Sequence, residues 1–389
     1  MNEGARILIV DFTNFEDYPI GGYLTFARNM IEAFGTRLAM VGITTSSDDP
    51  VGKWFKKHID GKAYDFFALA RYTKSKTRHF IPDRLATYFL VKIFNRKISQ
   101  IHINNVFLQR QEMLLAISTG SGNICFSFAG MENPLAISKY WYGKLFAKSF
   151  EKLFFRKLGR ASVILARGDD IAIADVIKRS GGKILPGTVI KFPTRINTEI
   201  FRPMSKEETR AKLDLPLTSV IVVTTGRLAE FKGWRFMVDC FGDFCHKVPD
   251  SKLYFIGEGE DYNEIKAYIS DCNIEQYVML AGKKSQPEIA MYLNASDLFI
   301  MGSFKEGWST SLMEAIACGV PSCVTDFSSS GDIIINGENG YVVGAHDKTL
   351  FVGCMLKAME LKRPVKNDHI VRYSTRNLQG DILKYWHLS

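Results

Sequence analysis

Residues 298–325, LFIMGSFKEGWSTSLMEAIACGVPSCVT, decide the fold. The first five residues, LFIMG, are a short apolar run closed by glycine, as a buried strand is. KEGW at 305–308 is polar and glycine-bearing, so it is a loop. Ser309 to Ser311 offer helix N-caps, and the following residues carry helical spacing to about Cys318. Gly319 and Pro321 stop that helix, and PSCVT (321–325) begins a second apolar run. Strand, loop, helix, stop and strand within 28 residues is one turn of a parallel α/β layer.

The same alternation extends both ways. RILIV (6–10), LAMVGI (38–43), NICFSF (123–128), SVILA (162–166) and GTVIKF (187–192) are strand candidates in the first half. SVIVVTTG (219–226), KLYFIG (252–257), YVMLAG (277–282), LFIMG (298–302) and PSCVT (321–325) are those of the second. Runs of this length, rich in Val and Ile, suit strands buried on both faces. Segments 206–213, 234–247 and 262–272 have helical spacing between them. The fold class is therefore α/β, with two doubly wound, Rossmann-like domains facing across a cleft, where open parallel sheets collect ligands at their carboxyl ends. The break lies near KFPTRINTEIFRP (191–203), giving domains at 1–195 and 196–370. A C-terminal helical stretch, 371–389 with Trp386, is expected to pack back on the first domain.

Composition narrows the classes. Of 389 residues, 46% are hydrophobic, enough for sizeable cores, and mean hydropathy is near zero. No apolar run approaches the roughly 18 residues that cross a bilayer. The run after Arg6 is too short for a secretory signal, so a cytoplasmic location is expected. Seven cysteines, at 125, 240, 245, 272, 318, 323 and 354, form no CxxC and pair with no histidine spacing, which argues against disulfide or zinc frameworks. Charge is uneven. Residues 1–197 hold 29 Lys and Arg against 16 Asp and Glu, whereas 198–389 hold 21 against 25. The basic half suits an anionic partner: a membrane surface, nucleic acid or a phosphorylated substrate.

The strand exits carry the candidate chemistry. VVTTGRLAEFKGW (222–234) leaves a strand through Gly226-Arg227 and then Lys232-Gly233. Two cations there can converge on a diphosphate, Arg as a fork and Lys as a point charge, or serve as an ordinary solvated loop. FIGEGED (255–261) marks a tight turn and little more. Gly21-Gly22 precede a helix-like segment, where bare amides and the helix dipole admit an anion, or where the chain simply needs a flexible loop. In the opening stretch, Ser311 and Glu314 have capping-box spacing, which would use Glu314 to satisfy a backbone amide. Glu306 precedes the helix and has no such role, so its charge is free to point into a cleft. Two carboxylates at loop and first turn suit the vicinal hydroxyls of a polyol, with the amides of Gly307, Trp308, Ser309, Thr310 and Ser311 near its anionic part.

Taken together, Glu306 and Glu314 with seven residues between them, GRL…KG at 226–233, the glycine pair at 21–22, FPTRINTEIFRP (192–203) and GENGYVV (337–343) resemble glycosyltransferase family 4, the retaining group with the GT-B fold. The ordered set spans nearly the whole chain. The resemblance implies that Arg227, Lys232 and the backbone of Gly22 hold the diphosphate of a nucleoside diphosphate sugar, UDP- or GDP-linked. It implies that Glu314 binds the ribose and Glu306 the transferred sugar, and that Leu280 and Lys283 edge the base. Arg227, Lys232 and Glu306 would be catalytic, with no metal or other cofactor, and the departing phosphate itself would take the acceptor's proton.

The chain departs from the family in two places. Where many members have His-Gly after a first-domain strand, CFSFAGMEN (125–133) has Ala129-Gly130. His102 in QIHINN (100–105) stands at another strand exit, as an acceptor-side candidate with Gly21 and Gly130 or as a structural histidine. SSSGDII (328–334) replaces the family's usual Pro-Glu pair before the GENG turn. The acceptor, a glycan or a polyprenyl-diphosphate-linked sugar of bacterial surface polysaccharide assembly, is expected on the basic first domain. There KWFKKHIDGK (53–62), RYTKSKTRHF (71–80) and KIFNRK (92–97) mix cations with aromatics. WYGKLFAKSFEKLFFRKLGR (141–160) reads as an amphipathic helix against the sheet or as a peripheral contact with an anionic inner-membrane surface. A nucleotide-sugar epimerase on the same fold and a nucleic-acid-binding protein are the rival readings. The first is disfavoured by the domain-crossing segment with its paired glutamates, the second by the absence of any binding motif, so no nucleic-acid partner is expected.

Overall fold

The computed structural model describes residues 5–19, 21–73, 83–117, 122–128, 133–136, 141–168, 170–304 and 306–388, with only the backbone of residues 141–142. Two units emerge: Met1–Pro193 with Arg376–Ser389, and Thr194–Thr375.

The first unit runs β1 (Ile7–Val10), α1 (Gly22–Phe34), β2 (Leu38–Thr44), β3 (Trp54–Ile59), β4 (Lys62–Arg71), α2 (Asp83–Ile98), β5 (Asn105–Leu108), α3 (Gln111–Ala116), β6 (Asn123–Phe128), α4 (Trp141–Leu158), β7 (Val163–Ala166), α5 (Asp170–Arg179) and β8 (Val189–Lys191). Its sheet has the order β3-β4-β2-β1-β5-β6-β7-β8. All neighbours are parallel except β3 and β4. β1, β2 and β7 are buried along their whole length, as strands covered by helices on both faces must be.

The second unit runs α6 (Lys206–Lys212), β9 (Val220–Thr225), α7 (Trp234–Lys247), β10 (Ser251–Ile256), α8 (Tyr262–Asp271), β11 (Val278–Gly282), α9 (Gln286–Ala295), β12 (Leu298–Met301), α10 (Thr310–Ala317), β13 (Ser322–Thr325), α11 (Ser330–Ile333), β14 (Gly340–Val343), α12 (Lys348–Met359) and α13 (Asp368–Arg372). Its sheet is parallel throughout, in the order β11-β10-β9-β12-β13-β14. Helix α14 (Leu378–Trp386) belongs to the first unit. Leu378, Ile382 and Trp386 share its α1-side core with Phe26 and Phe107, and the Trp386 indole donates to Asn123 Oδ1 at 2.8 Å.

Four strands escape the sequence reading. β5 and β14 are four residues long, and β3–β4 is a hairpin where cation-aromatic surface was expected. Asp60 and Gly61 both have positive φ (48° and 76°), the two-residue turn that Asp-Gly favours between twisted strands. Two of the hairpin's cations are taken up by ion pairs. Lys56 meets Asp65, and buried Lys57 meets Glu16 and Asp49.

Candidate functional site

In both sheets the chain builds outward on one side and then crosses to the other. In the second unit this reversal falls between β9 and β12, so the loops leaving these two strands flank the crevice where parallel sheets bind ligands. Glycines let three strand exits stack there. A Cβ on Gly257 would lie 1.8 Å from the Gly226 carbonyl oxygen, and one on Gly259 would lie 2.0 Å from that of Leu228. Gly233, at φ 68°, meets the Gly302 carbonyl oxygen, 1.8 Å from where a Cβ would stand. The glycines of FIGEGED thus serve backbone contact between the β9 and β10 exits, which are tied by Leu228 N to Glu258 O at 3.0 Å.

A recess opens at this point, lined by Thr224 to Leu228, Lys232, Trp234 and Ser303 among others. It brings together Gly226, Arg227 and Lys232. Each cation has its own acid. Exposed Arg227 donates to Glu260 at 2.8 Å, and partly buried Lys232 donates to Glu306 Oε1 at 2.5 Å. An exposed pair such as Arg227–Glu260 is worth about 0–1 kcal/mol, so an incoming anion displaces it at little cost. Glu306 is therefore not free, as the sequence suggested. Lys232 and the Ser303 hydroxyl, at 2.8 Å, both hold its Oε1. Ser303 was missed because nothing in its local sequence signals this role. Its backbone carbonyl also accepts from Thr325 Oγ1 at 2.8 Å.

The start of α10 corrects the capping assignment. Its N-cap is Ser309, whose hydroxyl accepts from Leu312 N, and Glu314 lies one turn further in. Ser311 and Glu314 form no capping box. The amides of Thr310 and Ser311, in the first helical turn, point out of the helix, and Ser311 Oγ lies 3.7 Å from a Cβ built on Gly226. Trp308 is core rather than ligand surface. It is buried, donates its indole N–H to Met313 Sδ, and sits edge-on to Tyr373. Ser309 is also buried, and its amide donates to Ser329 Oγ at 3.1 Å, which makes the SSSGDII loop a brace for this helix. Gly307, Thr310 and Ser311 are half-buried.

Glu314 is buried with no hydrogen-bond partner for its carboxyl among the described residues, and burial raises its pKa from 4.5 to about 8. An acid of this kind, unused by the fold on the helix whose first turn meets Gly226, is a candidate functional position. Leu280 is half-buried on edge strand β11 and Lys283 is exposed just beyond it. Their strand end is joined to the recess rim through Gly257 N and Gly282 O at 3.0 Å.

In the first unit, Gly21 (φ 152°) and Gly22 begin α1 with nothing within 4 Å of an added Cβ. His102 falls at the wrong end of its strand. It precedes β5, with φ 54°, so it lies at the amino edge of the sheet, where α/β ligands do not bind. The short β5 had escaped notice, and without it the histidine read as a strand exit. Ala129 and Gly130 lie outside the described residues, as do most of 71–80.

Residues 205–377 match the family model described as Glycosyl transferases group 1. The second unit is a group 1 glycosyltransferase domain. Among curated relatives, an Escherichia coli UDP-Gal:alpha-D-GlcNAc-diphosphoundecaprenol alpha-1,3-galactosyltransferase is 24% identical over 51% of this chain and 50% of its own. An uncharacterized glycosyltransferase of Methanocaldococcus jannaschii is 32% identical over 70% of this chain and 66% of its own. The chain spans half or less of the length of the first curated relatives it matches. Among solved structures, the Anabaena HepE protein in complex with UDP superposes with a TM-score of 0.71 at 15% identity, covering 97% of this chain and 98% of that one. At that identity the likeness establishes the fold alone, and the fold is the α/β architecture of the GT-B proteins, two Rossmann-like units.

Proposed function

We propose that this group 1 glycosyltransferase chain moves a hexosyl unit from a nucleoside diphosphate sugar, UDP- or GDP-linked, to a hydroxyl of a glycan or polyprenyl-diphosphate-linked acceptor. The pathway class is bacterial surface polysaccharide assembly: O-antigen, capsule or exopolysaccharide. The transfer retains anomeric configuration. One observation carries the reading: Arg227 and Lys232 share a single recess at the β9/β12 crevice, beside the start of the helix that holds Glu314 and next to Glu306. Two relatives support the rest of the reading. One uses a UDP-sugar and a diphosphoundecaprenol-linked acceptor, and a structural neighbour holds UDP.

In this reading the diphosphate displaces Glu260 from Arg227 and takes Lys232 from Glu306. Released, Glu306 accepts hydroxyls of the hexosyl unit. The developing charge on the departing phosphate is met by the two cations and the α10 amides, fixed donors of the kind that dominate catalysis. The chain's own cations then do the work that a metal does elsewhere. The departing phosphate takes the acceptor's proton, so Ala129 in place of a histidine is compatible with turnover. Glu314 accepts the ribose hydroxyls. Thermal melting against UDP-, GDP- and ADP-sugars tests the reading. A donor at about 100 times its Kd adds roughly 2.7 kcal/mol, and no shift from any of them overturns it.

Peripheral association with an anionic inner membrane face is part of the same proposal. No described helix is long and apolar enough to cross a membrane. Helix α4 exposes Leu145, Phe146 and Leu153 among Lys144, Lys148, Lys152 and Arg156, and α2 exposes Leu85, Phe89 and Ile93 beside Lys92 and Arg96. Both helices pack on α3. Large apolar side chains rimmed by cations suit the headgroup boundary of anionic lipid. Co-sedimentation with phosphatidylglycerol vesicles at low salt should recover the protein, and recovery equal to that with neutral vesicles refutes this part.

A further inference from the structure

The first unit holds a polar layer that the transfer reading leaves unused. Its sheet reverses between β1 and β5, the equivalent crevice to that of the second unit. Ile9 pairs with Phe107, and Phe107 pairs with Cys125. Two residues further on, the same face of the sheet carries Asp11, Gln109 and Ser127, with Arg167 just past the end of β7. All four are buried.

Their bonds leave a surplus of donors. Asp11 accepts from Arg110 Nε, from Phe12 N at 2.7 Å and from Gln109 Nε2 at 3.1 Å. Gln109 Nε2 also donates to the Tyr23 carbonyl at 3.2 Å, and its Oε1 accepts from Arg167 at 3.2 Å. Arg167 Nε and Ser127 Oγ have no partner among the described residues. Asp11 bonds Arg110, on which the Glu112 carboxylate also acts, whereas among the described residues Arg167 is bonded by no carboxylate. Burial lowers the Arg167 pKa to about 10, so it stays charged at neutral pH, and Asp11 helps to hold it so. A buried guanidinium with idle donors is costly unless an anion completes it. The Arg167 guanidinium lies 4.7 Å from the Phe26 ring and 5.9 Å from that of Tyr23, under the opening turns of α1, and Arg110 lies 4.3 Å from Tyr23. Gly21 and Gly22, at the start of α1, have nothing within 4 Å of an added Cβ.

We infer that this layer, Arg167 and Ser127 braced by Gln109 and Asp11 beneath the first turn of α1, binds a phosphoryl group of the acceptor. Tetrahedral phosphoryl oxygens take a forked guanidinium, a hydroxyl and helix-start amides together. The donor's diphosphate has Arg227 and Lys232 on the second unit, and the α1-start amides that the family resemblance gave to the donor are assigned here to the other substrate. The inference rests on the proposed phosphoryl-linked acceptor, and it makes Arg167 a specificity residue for such acceptors.

Calorimetry with the full chain tests it, using geranyl diphosphate as the probe and inorganic pyrophosphate alongside. Arg167→Gln should weaken geranyl diphosphate at least about tenfold, the loss of a charged hydrogen bond. Arg167→Lys should recover part of that, and Ser127→Ala should cost a few-fold. Lys232→Ala should leave this binding unchanged, while Arg167→Gln leaves UDP-sugar binding unchanged. Should Arg167→Gln fail to fold, Ser127→Ala and Arg167→Lys carry the test. Wild-type affinity in the variants that fold overturns the inference, as does binding lost in Lys232→Ala instead. Equal affinity for inorganic pyrophosphate and the prenyl ester overturns the assignment to the acceptor. Failure of the transferase reading appears separately, as no UDP-, GDP- or ADP-sugar shifting the melting temperature while geranyl diphosphate still binds through Arg167.

Discussion

Replacing Glu314 by glutamine should remove a pH dependence from both folding and donor binding. The carboxyl is buried on α10 without a hydrogen-bond partner among the described residues, and burial lifts its pKa from 4.5 to about 8. The folded chain therefore holds this proton more tightly than the unfolded chain. The associated stability is fully present below pH 4.5 and is lost as pH rises through about 8. Across that window the folded state carries about one proton more, so unfolding free energy falls by about 1.4 kcal/mol per pH unit from this group alone. Glutamine keeps the shape and does not titrate. Urea unfolding of both proteins at about pH 5, 6, 7 and 8 gives the difference, with wild type losing about 4 kcal/mol relative to Glu314→Gln over the range. Binding follows the same logic. A ribose diol donates to the carboxylate, so UDP-glucose should bind about tenfold tighter per pH unit up to about 8 and release a proton. Parallel unfolding profiles for the two proteins refute the buried-acid argument, and wild-type affinity flat with pH refutes the ribose role.

Other outcomes follow from the same geometry. Lys232→Ala and Arg227→Ala should each lower turnover by at least about 10²-fold with fold intact, the cost of removing one transition-state donor, and near-normal rates in both would remove the diphosphate assignment. Gly233→Ala places a methyl 1.8 Å from the Gly302 carbonyl at a φ of 68°, so the β9 and β12 exits must part, and the protein should melt well below wild type. An unchanged melting temperature contradicts that packing. Trp386→Ala should cost about 3–5 kcal/mol in chemical unfolding, since it empties the core of the first unit around Phe107 and leaves Asn123 without its indole donor.

The parallel α/β class and ten of the strands were legible because fully buried strands are continuous apolar runs, and they stay so whatever surrounds them. The same holds for the helix behind Glu306, marked by its serine caps and its Gly319 stop. The β3–β4 hairpin hid behind its cations, although Asp60-Gly61 was a readable turn signal. The short β5 and β14 carry too few residues for any period to show, and losing β5 turned His102 around and concealed Gln109 and Arg110. Sequence spacing placed Arg227, Lys232, Glu306 and Glu314 on the right loops and helix. It could not state that Lys232 holds Glu306, that Trp308 faces the core, or that Glu314 keeps its proton. Those depend on which groups meet across some 70 residues of chain and on how much water remains beside them. Local sequence determines periodicity and turns, whereas pairing and desolvation are properties of the assembled volume and exist only once distant segments have closed it.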